Sequence, residues 1–399
     1  MNRKKSNFLT KAAPSLIAVV IGLIIGLIII IATNPSVAKE VIPEFFKGPF
    51  TRGMVGFGDL FYHVTPILMT GLSVAFAYQT GLFNIGASGQ FLAGGFIAVL
   101  IASKLEASVS QNILWPMALI LGGLAGAIIA SIVGILKAYR NVNEVISCIM
   151  LNYISMYTVN YFIKKAGIYD QMRNSTKAIS TAIPKFGLDK IFKQVAPDGT
   201  VIAQTIAGGG IIIGIIVVII MHIILKKTTF GFELRGVGLN RHAAKYAGIS
   251  ENKSIILSMA ISGMLAGLGG AMLYLSGAGN QIAAAEVLAT EGFDGIAISL
   301  LGLNEPIGVL LSTIFIAYLK MGGQAIQTYG FAPELITMII SFILYISALA
   351  VLFRNILKRR TKVTGENINA NDDEKQEVID EKKDIDFNKK IVEEKGDLD

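Results

Sequence analysis

The sequence predicts an all-α polytopic membrane protein of about ten transmembrane helices, some of them short or broken. Three observations carry this. Hydrophobic residues make up 53% of the chain and charged residues only 16%, against roughly a quarter charged in soluble domains. Several apolar runs reach the ~20 residues a helix needs to cross the bilayer core. The single cysteine, Cys148, excludes a disulfide scaffold, and the alternating pattern of membrane barrel strands is absent.

Charge has a layout as well as a sum. The net charge is +7, yet the tail Val363–Asp399 holds 13 acids against 6 lysines, which leaves the rest of the chain at +14. That surplus sits in loops between apolar runs, as membrane topology requires. No stretch interleaves basic and aromatic residues on one face, so nucleic acid is not an expected partner.

The elements follow in order. Arg3, Lys4, Lys5 and Lys11 precede an apolar run from Pro14 to Thr33. A signal peptide also starts this way, but the run exceeds a usual signal core and no small-residue cleavage site follows, so it reads as an uncleaved first span. Asn34–Leu60, with Phe45, Phe46, Phe50 and Phe57, reads as a loop against the interface. Further spans are expected at Phe61–Tyr78, Gln90–Ser103, Ile113–Leu136, Val145–Ile163 and Ile211–Leu225. Lys164–Gly208 is a long polar loop. Lys226–Lys253 is a basic connector, followed by a span at Ile255–Leu275.

Gly277–Gly322 needs a break. Counted as one span it leaves an odd total, with the basic ends of the chain on opposite sides. Leu303-Asn304-Glu305-Pro306 supplies the break, because proline disfavours helix in the residue before it. Two short helices result. With a last span at Leu335–Phe353 the total is ten, and both termini face the cytoplasm. Residues 1–353 then form the membrane domain. Residues 354–399 form a charged cytoplasmic tail, too polar to bury a core and expected to be disordered.

Four motifs stand out. Phe83, Asn84, Ser88 and Gln90 lie in a glycine-rich link between two spans. Their polar groups can satisfy backbone freed at a helix break, or simply close a tight turn. Arg235, Gly238, Asn240, Arg241, Ala243, Ala244, Tyr246 and Gly248 lie in the connector. Asn240 can cap a short helix, Arg241 to Ala247, that stops at Gly248. Ala243, Ala244 and Ala247 would give it a small-residue face suited to a groove on another protein; a loop anchored to lipid headgroups is the alternative. The small-residue ladders Gly122, Gly126, Ala130 and Gly134, and Ser262–Ala271, read as close helix packing. Glu291, Phe293, Asp294 and Ser299 open a helix, where the dipole favours acids, or line a polar mouth. The starts at Gly81–Asn84 and Gly292–Asp294 are expected on opposite sides, the pattern of an inverted repeat.

Catalytic and metal chemistry find no support. His63, His222 and His242 are far apart and lack ligand spacing, no nucleophile elbow occurs, and no Walker A motif is present. An enzyme is therefore not expected. Glu144 reads as a helix-start charge. A secondary transporter would place ionisable groups mid-span, and the spans show almost none.

The Phe83–Gln90, Arg235–Ile249 and Phe293–Pro306 segments together resemble the permease subunits of ATP-binding-cassette importers for simple sugars and nucleosides. That group is related to ribose and branched-chain amino-acid permeases. Asn143-Glu144-Val145-Ile146 and Leu151-Asn152-Tyr153 resemble it too, and the likeness runs from about Pro66 to Phe353. The long loop is similar to the larger of two permeases in nucleoside importers. The family's first motif usually carries Glu where this chain has Ser88. The resemblance implies a bacterial cell-membrane permease with several partners. These are a second homologous permease, a cytoplasmic ATPase that binds the Arg235–Gly248 connector, and an external substrate-binding lipoprotein, with membrane lipid around it. ATP would be used by the partner, with no cofactor bound by this chain. Nucleosides are the expected cargo and simple sugars such as ribose the second choice. Few fixed charges would replace the hydration of an ionic solute, whereas Asn84, Gln90, Asn152 and Ser299 could offer a neutral one passing hydrogen bonds.

Overall fold

A computed structural model describes residues 8–198, 200–342 and 345–346, with side chains from Val20 onward. Residues Ile21–Tyr345 form one compact unit. The expected tail, residues 354–399, lies outside the described residues, as does the end of the last expected span.

The long apolar runs are helical, and each is longer than its apolar core. They are α1 (Phe8–Thr33), α3 (Gly53–Tyr78), α4 (Ala87–Leu105), α5 (Gln111–Arg140), α6 (Glu144–Lys165), α8 (Gly210–Lys227), α11 (Glu251–Tyr274) and α13 (Pro306–Ile326). Between α1 and α3 lie α2 (Ala38–Lys47) and a 3-10 turn (Gly48–Arg52). The Asn34–Leu60 loop is thus corrected to helix. Its Pro and Gly residues resemble loop punctuation, but Ala38, Val41 and Phe45 form a buried stripe, and the Phe45 carbonyl lies against Gly322 of α13. Seven helical stretches among the described residues are long and apolar enough to cross a membrane.

Glycine builds the centre. A Cβ at Gly94 of α4 would lie 2.4 Å from Gly267 Cα of α11, and one at Gly126 of α5 would lie 2.2 Å from the Gly263 carbonyl oxygen. Three backbones therefore touch, as small residues at membrane helix interfaces permit. The opposite face of α5 carries exposed Ile120, Ile128 and Ile132. Apolar outside and close-packed inside is the arrangement for a helix against lipid.

The long loop is more than a loop. It holds two antiparallel hairpins, β1 (Tyr169–Asp170) with β2 (Ser175–Thr176) and β3 (Lys193–Val195) with β4 (Val201–Gln204), and the short α7 (Leu188–Ile191). Asp59, buried in α3, fastens it. One carboxylate oxygen accepts from Thr205 Oγ1 at 3.0 Å and from the Ile206 N–H at 2.9 Å. The other pairs with Arg52 at 2.8 Å.

The expected break is present. Leu303 and Asn304 both take left-handed φ values, 58° and 56°, and Pro306 opens α13. Before the break, α12 (Thr290–Leu301) has only 12 residues, about 18 Å of helix against a ~30 Å hydrocarbon core. Only α12 is short, and α13 is corrected to full length with 21 residues. Gly277–Ala289, which lead into α12, are non-helical, with one isolated bridge joining Ala283 to Ser175. Buried non-helical backbone must find its hydrogen-bond partners elsewhere in the protein. Thr176 exchanges hydrogen bonds with Ile282 (2.9 and 3.1 Å), Asn160 Nδ2 donates to the Ala285 carbonyl at 2.9 Å, and Ser88 Oγ donates to that of Ala289 at 2.7 Å. A further helix, α14 (Pro333–Phe342), follows among the described residues.

Candidate functional site

The connector divides into two helices, α9 (Thr229–Leu239) and α10 (Arg241–Tyr246). Thr228 caps the first through the Gly231 N–H at 3.1 Å, and Asn240 caps the second through the Ala243 N–H at 3.1 Å. Gly248, with φ 81°, ends the turn. Arg241 lies 3.7 Å from Glu251 at the start of α11, and Arg235 Nε donates to the Gly231 carbonyl. Val237 and Ala244 bury themselves in one cluster with Ala77, Leu82 and Ile255, and Leu234 joins the main core with Leu225. The alanine face is therefore corrected: Ala244 points into its own chain, while Ala243 and Ala247 stay exposed. Beside them Leu239 is 88% and Tyr246 95% exposed. Both stand bare on the same exposed side of the helical pair as Ala243 and Ala247. Leu239 was visible in the sequence but is the final residue of α9, where periodicity carries no signal.

Gly238 seats α9 on the α3–α4 turn. A Cβ there would lie 2.2 Å from the Gln79 carbonyl oxygen. Behind the turn is a buried polar network. Asn84 and Gln90 exchange amide hydrogen bonds at 2.8 and 3.0 Å, and Asn84 Nδ2 also reaches Ser262 Oγ at 2.7 Å. Asn84 Oδ1 accepts from the Gly86 N–H at 3.0 Å. Asn152 of α6 accepts from the Gly89 N–H and donates to the Ile85 carbonyl. The polar residues of the first motif are thus satisfied by backbone and by one another. Ser73 and Ser262, which complete the network, carry no sequence signal beyond being serines in apolar helices.

The second motif meets the first. Gly292 lies against Ser88, Gly295 against Thr70, and Thr70 Oγ1 donates to the Glu291 carbonyl at 2.7 Å. The starts of α4 and α12 therefore adjoin, which corrects their expected placement on opposite sides. The two helices run apart from there, because α12 ends beside Gln79. Phe83 packs half-buried with Ile296, Phe293 is exposed, and Ser299 Oγ donates to Asn304 Oδ1 at 2.7 Å. Asp294 pairs with Lys320 of α13. This pair was missed because the two residues are 26 positions apart, and Lys320 is one base in an apolar helix. Glu144 opens α6 and pairs with Lys137 at 2.8 Å.

Comparison with known proteins places these features. The family model described as "Branched-chain amino acid transport system / permease component" matches residues 56–349. The guanosine ABC transporter permease protein NupP of Bacillus subtilis is 36% identical over 348 residues, 87% of this chain and 96% of that one. The nucleoside ABC transporter permease protein NupB of Lactococcus lactis is 33% identical over 89% of this chain and 95% of its own length. The glucose ABC transporter permease protein TsgB13 of Haloferax volcanii is 29% identical over 75% of each chain. No solved structure matches. The apolar helices long enough to span a membrane agree with that match: the chain belongs to the branched-chain amino-acid transport system permease family, an integral membrane transport component and not an enzyme.

Proposed function

We propose that this chain is the transmembrane permease subunit of a nucleoside importer in a bacterial cell membrane, driven by ATP hydrolysis on partner subunits. One observation carries the substrate class: the likeness to the guanosine and nucleoside permeases extends over 87–89% of this chain. The likeness to the glucose permease is lower and covers less. The partners are a second homologous permease, a cytoplasmic ATP-binding-cassette ATPase and an external substrate-binding lipoprotein. This chain binds no ATP itself.

On this reading the crossings are α1, α3, α4, α5, α6, α8, α11, the 277–301 segment, α13 and the span that begins with α14. Ten crossings put both termini and residues 354–399 in the cytoplasm with the connector. The 164–208 lobe is then external. Helices α4 and α12, which start together and run oppositely, are the candidates for an inverted repeat. The pathway passes Phe83, Phe293 and Asp294, with Asn84, Ser88, Gln90, Asn152 and Ser299 behind them shaping it. Deleting this chain should abolish uptake of labelled guanosine by intact cells and leave ribose uptake at the parental level. Loss of ribose uptake with guanosine uptake intact would refute the substrate assignment. In the same cells, added protease should reach the 164–208 lobe and spare the tail.

The connector docks on the ATPase through Leu239, Ala243, Tyr246 and Ala247, with Arg235, Gly238, Asn240, Arg241, Ala244 and Gly248 holding its shape. Two substitutions separate these roles. Ala243→Trp should leave the protein in the membrane at normal abundance and lower uptake at least tenfold. Ala244→Trp should lower abundance itself, because overpacking a filled site costs roughly 1–3 kcal/mol. Membrane immunoblots beside uptake assays read both, and normal uptake by Ala243→Trp rules out the docking face.

A further inference from the structure

The connector touches two turns, and both lead to the same short helix. Gly238 of α9 rests on the Gln79 carbonyl, and Gly81 of the same turn rests on Gly238. Gln79 Nε2 then donates to the Asn304 carbonyl at 2.9 Å. From the end of α8, Lys226 reaches Glu305 at 2.5 Å. The Leu303–Glu305 turn is therefore held from two sides by the elements that carry the connector.

That turn is rigidly part of α12. The Asn304 N–H donates to the Ser299 carbonyl at 2.8 Å, and Asn304 Oδ1 accepts from Ser299 Oγ at 2.7 Å. The other end of α12 is not continued by helix, because Gly277–Ala289 are non-helical. That end is held by polar ties instead: Ser88 Oγ and Asn160 Nδ2 donate to the carbonyls of Ala289 and Ala285, Thr70 Oγ1 donates to that of Glu291, and Asp294 pairs with Lys320. The flank of α12 is smooth, with Gly292 on Ser88 and Gly295 on Thr70. A short helix gripped at one end, ended by non-helical chain at the other and faced with glycine can shift as a unit once the Thr70–Glu291 bond and the Asp294–Lys320 pair exchange. Long helices locked by side-chain ridges cannot.

We propose that Gln79 and Glu305 are positioning residues that transmit connector movement to α12. The half-helix acts as a lever that moves Glu291, Phe293 and Asp294 while the surrounding full-length helices stay packed, and Asp294 parts from Lys320 as it moves. This rests on the reading of the chain as an ATP-driven permease. Neither residue touches cargo or ATP. Their loss disconnects the two without unfolding either, since Lys226 and Glu305 are 35% and 43% exposed.

The test uses the complete importer, reconstituted in proteoliposomes, and measures labelled guanosine taken up per ATP hydrolysed. Gln79→Ala and Glu305→Lys should each lower that ratio at least fivefold, with ATP hydrolysis and subunit assembly within twofold of wild type. Combining Lys226→Glu with Glu305→Lys restores the pair with reversed charges and should return the ratio to within twofold. A merely structural role would lower hydrolysis, assembly and uptake together, and would leave the ratio unmoved. An unchanged ratio in either single variant, or a reversed pair that fails to restore it, overturns the proposal. Wild-type uptake that needs no ATP would instead overturn the importer reading, and is seen before any variant is made.

Discussion

Gly267→Val removes folded protein from the membrane. A Cβ at Gly267 would lie 2.6 Å from the Gly122 carbonyl oxygen and 3.1 Å from Gly126 Cα, and Gly94 closes from the other side. The obstructing atoms are backbone, so no rotamer change relieves them. Helices α4 and α5 would have to part from α11, and every contact along the seam would loosen. Overpacking costs about 1–3 kcal/mol where side chains can yield, and this site should exceed the upper figure. Gly236→Ala is the control, since a Cβ there meets only Ile249 Cδ1, at 3.4 Å. That change should be neutral or add up to about 1 kcal/mol. Thermal unfolding in detergent, with membrane abundance, decides the matter. A Gly267→Val protein with wild-type abundance and melting temperature would show that the three backbones do not touch in the membrane.

Asn84→Leu has nearly as large an effect, for a different reason. The leucine fits the volume but leaves the Gly86 N–H and the Gln90 amide without the partners they have now, and takes a donor from Ser262. All three residues are buried. An unsatisfied buried polar group costs about 1–3 kcal/mol, so the loss should be about 3 kcal/mol or more. Replacing both members of the amide pair, Asn84→Leu with Gln90→Leu, should recover part of it, because no side-chain amide is then left unpaired and only the Gly86 N–H still lacks its partner. A double variant less stable than Asn84→Leu alone would contradict the network and point to a packing role for Gln90. The ordering is read from the melting temperatures of the single and double variants. It also bears on function, since a loosened α3–α4 turn no longer gives Gly238 a firm seat.

The sequence by itself determined the class and most of the crossings. A run such as Ile211–Leu225 has one stable state in hydrocarbon, a helix, because every N–H and C=O must be bonded within the segment. The caps at Asn240 and Gly248 and the break at Leu303–Pro306 were legible for the same reason. Each is a local rule about backbone groups and φ, decided within four or five residues. The glycine ladders also announced close packing, though not which ladder meets which.

Tertiary structure decided the rest. Ala38–Lys47 is a helix because its Val41 and Phe45 stripe finds α13, and sequence alone saw only the Pro and Gly around it. Gly277–Ala289 holds a non-helical path because Asn160, Ser88 and Thr176, from three distant segments, supply its hydrogen bonds. Ala244 differs from Ala243 only in facing Leu82 and Ile255. The Asp294–Lys320 pair and the Gln79–Asn304 bond join residues 26 and 225 positions apart. Periodicity and spacing report forces between near neighbours in the chain. Whether a charge is paired, or a carbonyl satisfied, depends on which distant side chain the fold brings to it.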